Sequence, residues 1–448
     1  MTICSLGSGN FKRGIHPKEQ KHWSKDEQIE VLPVPSEINI PLLQHIGAPC
    51  ELTIKPKDNV IFGQLIAKSD KFISSPIHSS LNGITGLITK TTLPNGRHVD
   101  SIPVKVENSG KIGEDLWQDF KSDFWLKENF LQYSSETVIK AVKEGGLVGL
   151  GGAAFPTFVK LMKNEKIACE TLILNGCECE PFLTADYRLM CEAPYAVIAG
   201  AKLAGIAAGA KNIVIAIEKN KPEAIKILKE ISKGLDITIF PVKTKYPMGG
   251  ERQLIPAVCG KEVPTGGLPL DVGIVVVNVG TAAAIANAVI KKHPLTHRVV
   301  SVSGPGINSS KNIFVPIGTP YSKLIEFCGG LKKEACRIIS GGPMMGFTVS
   351  DFSTPVIKGT SGITVLTNKE VEDIEKTSCL RCGRCVDVCP LNLVPAKIAH
   401  ASKFENWELA KQYHLMACCE CGCCTYTCPA AIPLVQLIRV GKSKIPRT

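Results

Sequence analysis

Residues 379–390 read CLRCGRCVDVCP and residues 418–429 read CCECGCCTYTCP. Cys379, Cys382, Cys385 and Cys389-Pro390 follow the spacing C-x2-C-x2-C-x3-C-P, and Cys418, Cys421, Cys424 and Cys428-Pro429 repeat it. Three thiolates on one tight loop can each grip a different iron of a cubane, while the fourth, a turn further on and followed by proline, points at the other cluster. The spacing therefore predicts two [4Fe–4S] clusters. Cys379, Cys382, Cys385 and Cys428 would hold one, and Cys418, Cys421, Cys424 and Cys389 the other. Zinc is the competing occupant, but zinc sites normally use pairs of Cys-x-x-Cys rather than two complete quartets. Cys419 and Cys423 fall out of register and read as small buried hydrophobes.

Ten of the 19 cysteines lie between Cys379 and Cys428. The opening MTICSLGSGNFKRGIHPKEQ has no apolar run of the secretory type, so a reducing, cytoplasmic compartment is expected and a disulfide framework is the weaker account. At 448 residues and 44% hydrophobic content the chain can bury several cores, in about three domains by ordinary domain size. Its 52 Lys+Arg against 41 Asp+Glu, a formal charge of +11, suit an anionic nucleotide, an acidic protein partner or an anionic membrane surface. The basic residues are scattered, which speaks against nucleic acid. Residues 272–290 are the most membrane-like stretch. They contain Asn278, Thr281 and Asn287 and read as a strand, a turn and a small-residue helix, so no transmembrane helix is expected.

Upstream of the cysteines, residues 29–106 are short apolar runs broken by Pro, Gly and Asn, the pattern of a small all-β module, expected to occupy residues 1–110. Asp70-Lys71 resembles the hairpin of a lipoyl or biotinyl hammerhead, although a lysine in a polar hairpin is ordinary and the flanks complete no attachment motif. Residues 111–133 read as a charged, aromatic linker. From 134 to 296 helical and strand patterns alternate: SSETVIKAVKEGG starts with a Ser/Thr-type cap and stops at Gly, TLILNG and NIVIAIE are strands, and PEAIKILKEISKG opens at Pro222. That alternation argues a Rossmann-like α/β layer with a mainly parallel sheet. Residues 297–369 return to strands around one short helix, compatible with a β-grasp, SLBB-like domain. Residues 370–448 form a helical, two-cluster ferredoxin-like module. The fold class is thus multidomain α/β plus β.

Two further stretches carry chemistry. Residues 145–160, GGLVGLGGAAFPTFVK, would let backbone N–H groups approach a phosphate at a helix N-terminus, with Lys160 adding a cation, although such a loop is also an ordinary tight turn. A strand then ends in Asn175-Gly176-Cys177-Glu178-Cys179-Glu180-Pro181, where carboxylates can accept from ribose hydroxyls or a carboxamide. Cys177 and Cys179 also make a third metal site conceivable, though no further ligands are visible.

These residues carry a family resemblance. GLGGAAFPTFVK is similar to the flavin-binding GRGGAGFPTGLK signature of the NADH-binding flavoprotein subunit of respiratory complex I, and NGCECEP to its NADEGEP. YPMGGERQLI and VVNVGTAAAI resemble its GEE and NNVET segments, in the same order. FKRGIHP, PLLQHIGAP and both cysteine loops resemble the C subunit of the Rnf ion-translocating ferredoxin:NAD oxidoreductase, and that likeness runs from Phe11 to about Arg439. It implies an NADH/NAD+ oxidoreductase component that carries FMN and two [4Fe–4S] clusters. Membrane and iron–sulfur Rnf subunits would be its partners, with ferredoxin reached indirectly, and it would attach peripherally to the inner face of the membrane. Gly149, Gly151, Gly152, Lys160, Asn175, Glu178, Asn278 and Thr281 would hold the flavin. Nucleotide would stack near Phe155 and be contacted by Glu180 and Glu251. No side chain need act as acid or base, because flavin exchanges hydride with NAD(H) and single electrons with cubanes. Cys177 and Gly280 depart from the complex I pattern, which has Asp and Glu there, and Arg13 stands where the Rnf protein usually has Gly. A cobalamin reductase with similar modules, which lacks a leading β module, and a cluster-only relay that binds no nucleotide are the alternatives.

Overall fold

Four parallel strands form the central sheet of the computed structural model, which describes residues 6–164, 166–371 and 374–445. The expected first and last modules each extend past those bounds, at residues 1–5 and 446–448. In spatial order the strands are Ile237–Val242, Asn212–Glu218, Thr171–Gly176 and Ile274–Asn278. Their nearly unbroken aliphatic runs suit a sheet covered on both faces. One face carries helices Ser135–Glu144, Pro194–Ala208 and Val279–Ala286, the other helix Glu251–Cys259.

Pro194–Ala208 (PYAVIAGAKLAGIAA) is apolar almost all round, as a helix buried between layers must be. It meets Val279–Ala286 so closely that a Cβ on Gly200 would lie 1.8 Å from the Ala282 carbonyl oxygen. Residues 272–290 accordingly contain strand Ile274–Asn278, helix Val279–Ala286 and most of a π-helical turn, Asn287–Lys291. Among the described residues no single helix is long and apolar enough to cross a membrane.

A second, mixed sheet runs Ile29–Val31, Lys311–Pro316, His297–Ser303, Gly362–Thr367, Ala335–Ser340, Phe347–Thr348. Its edge corrects one expectation. Residues 29–31, read as part of the first β module, pair in parallel with Asn312, Ile313 and Phe314 instead, because a short apolar run does not specify which sheet it joins. The first module itself folds two small sheets over Ile38, Ile40, Ile66, Ile102 and Val104. Lys71 is exposed between the antiparallel strands Leu65–Lys68 and Ile77–His78, and neighbouring Phe72 meets Phe158 edge-on at 5.8 Å, which docks the hairpin onto the α/β layer.

The expected linker is also more than a tether. Residues 111–133 contain helix Ile112–Lys121, and Trp117 and Trp125 are buried in the central core, the latter donating its indole N–H to the Asp119 carbonyl at 2.8 Å. At the C-terminus helices Pro395–Lys403 and Leu434–Lys444 close over Ile398, Leu434 and Ile438.

The Gly200 contact yields a stability test. Gly200→Ala drives a methyl into the Ala282 backbone and is expected to cost about 1–3 kcal/mol, read as a lowered thermal midpoint, whereas Ala207→Gly in the same helix costs about 1 kcal/mol by propensity plus its lost packing. An unchanged midpoint for Gly200→Ala would show that the two helices can part.

Candidate functional site

Helix Ser135–Glu144, capped by the Ser134 side chain accepting from Thr137 N, stops at Gly145 and Gly146 and releases the glycine-rich loop. The loop closes on itself: Gly149 N donates to Phe155 O at 2.8 Å, and Ala154 N to Gly149 O at 3.2 Å. It leads into a helix of only five residues, Thr157–Leu161, so the expected phosphate-binding helix is little more than one turn. The backbone still forms a cradle. A Cβ would meet nothing nearer than 3.7 Å at Gly149 or 3.6 Å at Gly151, and nothing within 4 Å at Gly152, where φ is +112°.

Residues outside the loop, most of them in other modules, hold it in place. Leu150 N donates to Thr281 Oγ1 at 2.9 Å and Ile46 N to Ala154 O at 3.1 Å, while Arg298 donates to Leu150 O at 3.4 Å. The buried Lys358 Nζ donates to Gly146 O at 2.7 Å and Pro76 O at 2.6 Å, and burial pushes its ammonium down to about 7. Asn278 caps helix Val279–Ala286 by accepting from Gly280 N and Thr281 N, and its Cβ sits 3.6 Å from the Cβ position of Gly151. Lys160 and Glu251 form an ion pair with each other, and Phe155 is half-buried within the loop that precedes Lys160.

The strand-end turn is built around its two acids, which face opposite ways. The Glu178 carboxylate accepts from Asp186 N at 3.0 Å and Tyr187 N at 3.2 Å, at the start of helix Ala185–Glu192. Glu180 accepts from Met344 N at 3.1 Å and Met345 N at 2.8 Å in the second sheet's domain, and burial lifts its carboxyl to about 7. Both predicted ligand-binding acids thus already accept from backbone N–H groups. Asn175 donates to Gly249 O at 2.8 Å and accepts from Cys177 N at 3.0 Å. The thiols of Cys177 and Cys179 belong to different apolar clusters, so they do not converge as a third metal site would require.

Sequence reasoning passed over Lys21. Its Nζ donates to the carbonyls of Glu178, Glu180 and Leu183 at 2.5–2.7 Å. No local motif could reveal it, since its acceptors lie 157 to 162 residues away.

The cysteine loops have matching backbones. Positive φ recurs at Arg381, Gly383 and Asn392 (55°, 79°, 56°) and at Glu420, Gly422 and Ala431 (58°, 82°, 49°), and each Gly opens a four-residue helix, Arg384–Asp387 or Cys423–Tyr426. Cys389, from the first quartet, lines one small pocket together with Cys418, Cys421 and Cys424 of the second, and Cys419 and Cys423 line it too. Burial and the neighbouring Cys418 and Cys389 push the Cys424 thiol up to about 12. Burial likewise raises the Cys385 thiol, and the charges of Cys428, Cys379 and Cys382 raise it further. Among the described residues no three His, Cys, Asp or Glu side chains close on a point the size of one ion. Thiols crowded in this way repel one another as thiolates unless a cationic core lies among them, and this donor set fits a cluster. Cys423 is buried and Cys419 half-buried, together with Cys179, Cys421 and Tyr246. Tyr246 Oη donates to Cys421 O at 2.7 Å, and Arg13 to Val386 O at 2.8 Å, tying the module to the α/β layer and the N-terminal segment.

Comparison with known proteins matches three parts of the chain to family models: the Nuo51 FMN-binding domain at residues 142–287, the RnfC barrel sandwich hybrid domain at 9–110 and the SLBB domain at 299–348. The C subunit of the proton-translocating ferredoxin:NAD(+) oxidoreductase complex of Clostridium ljungdahlii is 42% identical over 436 residues, covering 97% of this chain and 94% of that one. The Na(+)-translocating counterpart of Acetobacterium woodii is 39% identical, covering 98% and 97%. The C subunit of the ion-translocating oxidoreductase complex of Rhodobacter capsulatus is 40% identical, covering 98% and 84%. A solved NAD+-reducing [NiFe]-hydrogenase in the H2-reduced state superposes with a TM-score of 0.51 over 74% of this chain and 66% of that one; at 18% identity it speaks for the fold alone. The chain belongs to the family of C subunits of ion-translocating ferredoxin:NAD(+) oxidoreductase complexes.

Proposed function

We propose that this chain is the peripheral electron-transfer component of a membrane-bound, ion-translocating ferredoxin:NAD+ oxidoreductase of the Rnf type, exchanging electrons with NAD(H) through FMN and relaying them singly through two [4Fe–4S] clusters. Its partners are the membrane and iron–sulfur subunits of that complex, and it works at the cytoplasmic face. The observation that supports the reading is the open glycine cradle at residues 149–152 in a chain whose Cys389 lines one pocket with Cys418, Cys421 and Cys424.

Flavin, when bound, supplies the conversion between two-electron exchange with a nicotinamide and one-electron exchange with a cubane. The chain supplies position. Gly149, Gly151 and Gly152 offer close backbone approach, Asn278 and Thr281 brace the loop, and Lys160 offers a cation to the phosphate at the cost of its pairing with Glu251. Asn175 and Glu178 shape the wall opposite. Phe155 gives nicotinamide an apolar face, and Glu180 and Glu251 bound the nucleotide. Cys379, Cys382, Cys385 and Cys428 ligate one cluster, and Cys418, Cys421, Cys424 and Cys389 the other. The latter is the one in electrical contact with the flavin domain, because Tyr246 and Cys179 pack on its loop, while the exposed Cys379 and Cys382 face outward toward a partner. We propose a hammerhead-like module within 1–110, apart from the strand Ile29–Val31 that joins the second sheet, a connecting segment at 111–133, a Rossmann-like domain at 134–296, a β-grasp domain at 297–369 and a ferredoxin-like module at 370–448. The leading β module disfavours a cobalamin reductase.

The primary test is an anaerobic NADH titration of the iron-reconstituted, FMN-supplemented protein. Flavin bleaching with about eight irons per chain is expected. Full iron with no flavin bound and no response to NADH would leave a cluster relay and move the nucleotide site to another protein of the complex. In the same preparation Cys389→Ser is expected to lower iron toward about four per chain while NADH still bleaches the flavin. Retention of all the iron would remove Cys389 from the ligand set.

A further inference from the structure

Asp186 has no role in the reading above, yet it stands among the residues that carry it. It lies in the first turn of helix Ala185–Glu192, where an acid ordinarily complements the helix dipole. Its side chain reaches away to the cradle. Oδ2 accepts from Asn278 Nδ2 at 2.7 Å, and Oδ1 lies 3.5 Å from the position a Cβ would take at Gly280. Oδ1 has no hydrogen-bond partner among the described residues. Gly280 bears no side chain to fill the space in front of it, and on the far side of Asn278 lies Gly151 of the cradle, whose Cβ position is 3.6 Å from the Asn278 Cβ.

Asp186 is half-buried, a second carboxylate lies beside it at Glu178, and its Oδ1 is left open toward the space that Gly280 leaves clear, so it is a ready acceptor for an added donor. We infer that Asp186 Oδ1 is a hydrogen-bond acceptor for the bound flavin, taking a donor from its ribityl hydroxyls or its imide N–H at the floor of the cradle. The inference rests on the reading of the cradle as the FMN site. Burial and the neighbouring Glu178 charge lift the Asp186 carboxyl to about 7, consistent with a group that gains from an added donor. Sequence pattern alone passes over it because the acidic motif ends at Pro181, and only the turn of the chain at Phe182 to Thr184 brings the next acid back to Asn278.

The test measures FMN affinity of the iron-loaded full chain by flavin-fluorescence quenching, together with the bound flavin's absorption spectrum and midpoint potential. Iron content and the circular-dichroism melt report folding. Asp186→Asn keeps an oxygen for Asn278 and turns an amide toward the ligand. It is expected to weaken FMN by about tenfold or more, the worth of a hydrogen bond to a charged group, and to shift the potential, with iron unchanged. Wild-type affinity and spectrum in Asp186→Asn would overturn the inference. So would a loss in Asp186→Ala that Asp186→Asn fully restores, since the side chain would then serve only to hold Asn278. A wild-type chain that carries full iron but takes up no FMN overturns the flavin reading itself, and the Asp186 role with it.

Discussion

The Lys21 ammonium has three protons, and the turn from Glu178 to Leu183 presents three carbonyl oxygens to them. Lys221 also reaches the Glu178 carbonyl, at 3.5 Å, but those of Glu180 and Leu183 rely on Lys21, and a buried, unsatisfied group costs about 1–3 kcal/mol. With the turn pinned, its two acids are free to act at a distance: Glu178 on the helix that begins at Ala185, Glu180 on the backbone of Met344 and Met345. Met344 in turn packs against Gly422, where a Cβ would stand 2.6 Å from its carbonyl oxygen. One cation from the N-terminal segment therefore sets the relation of the central sheet, the second sheet and a cysteine loop.

The glycine cradle depends on the same assembly. A loop with glycines at five of its first eight positions, residues 145–152, has high conformational entropy and little side-chain packing of its own. Its shape comes from donors outside it: Lys358 at Gly146, Arg298 at Leu150 and Ile46 at Ala154. These belong to the first β module and the second sheet's domain. A glycine loop shaped in this way is a property of the joined modules, and excision of residues 142–287 would leave it without the bonds from Lys358, Arg298 and Ile46.

What could be read from the chain divides along the range of the interactions. Cysteine loops are local objects. Their spacing and their Gly at position five decide the turn, so the matching backbones of the two loops were legible, and so was the placing of Cys389 beside the second loop. The parallel sheet was legible because its strands are uniform aliphatic runs separated by helical patterns. The partner of residues 29–31 was not, since a three-residue strand pairs by proximity set elsewhere. Lys21, Lys358 and Arg298 were invisible for a related reason: a lysine or arginine that bonds carbonyls of distant backbone leaves no pattern around itself. The two acids of NGCECEP were found as chemically loaded positions, but which donors their oxygens already hold depends on residues more than 160 positions later for Glu180 and on the next helix for Glu178.

The proposed exchange of the fourth cysteine would have an energetic consequence for the C-terminal module. Cys389 belongs in sequence to the loop that begins at Cys379 but shares a pocket with Cys418, Cys421 and Cys424, and the charge of Cys428 acts on the Cys385 thiol. In the proposed ligand set each cluster is completed by a residue on the other loop, so neither would be filled correctly while the loops are apart. The contacts between the two covering helices supply only a modest apolar core, centred on Ile398, Leu434 and Ile438. With that ligand set metal–thiolate bonding would be a principal source of this module's stability, as in other small domains whose ligands converge only on folding. The Tyr246 hydrogen bond to the Cys421 carbonyl then joins that metal-dependent unit to a sheet whose own core needs no metal, so loss of a cluster would loosen the cysteine module first and leave the central layer standing.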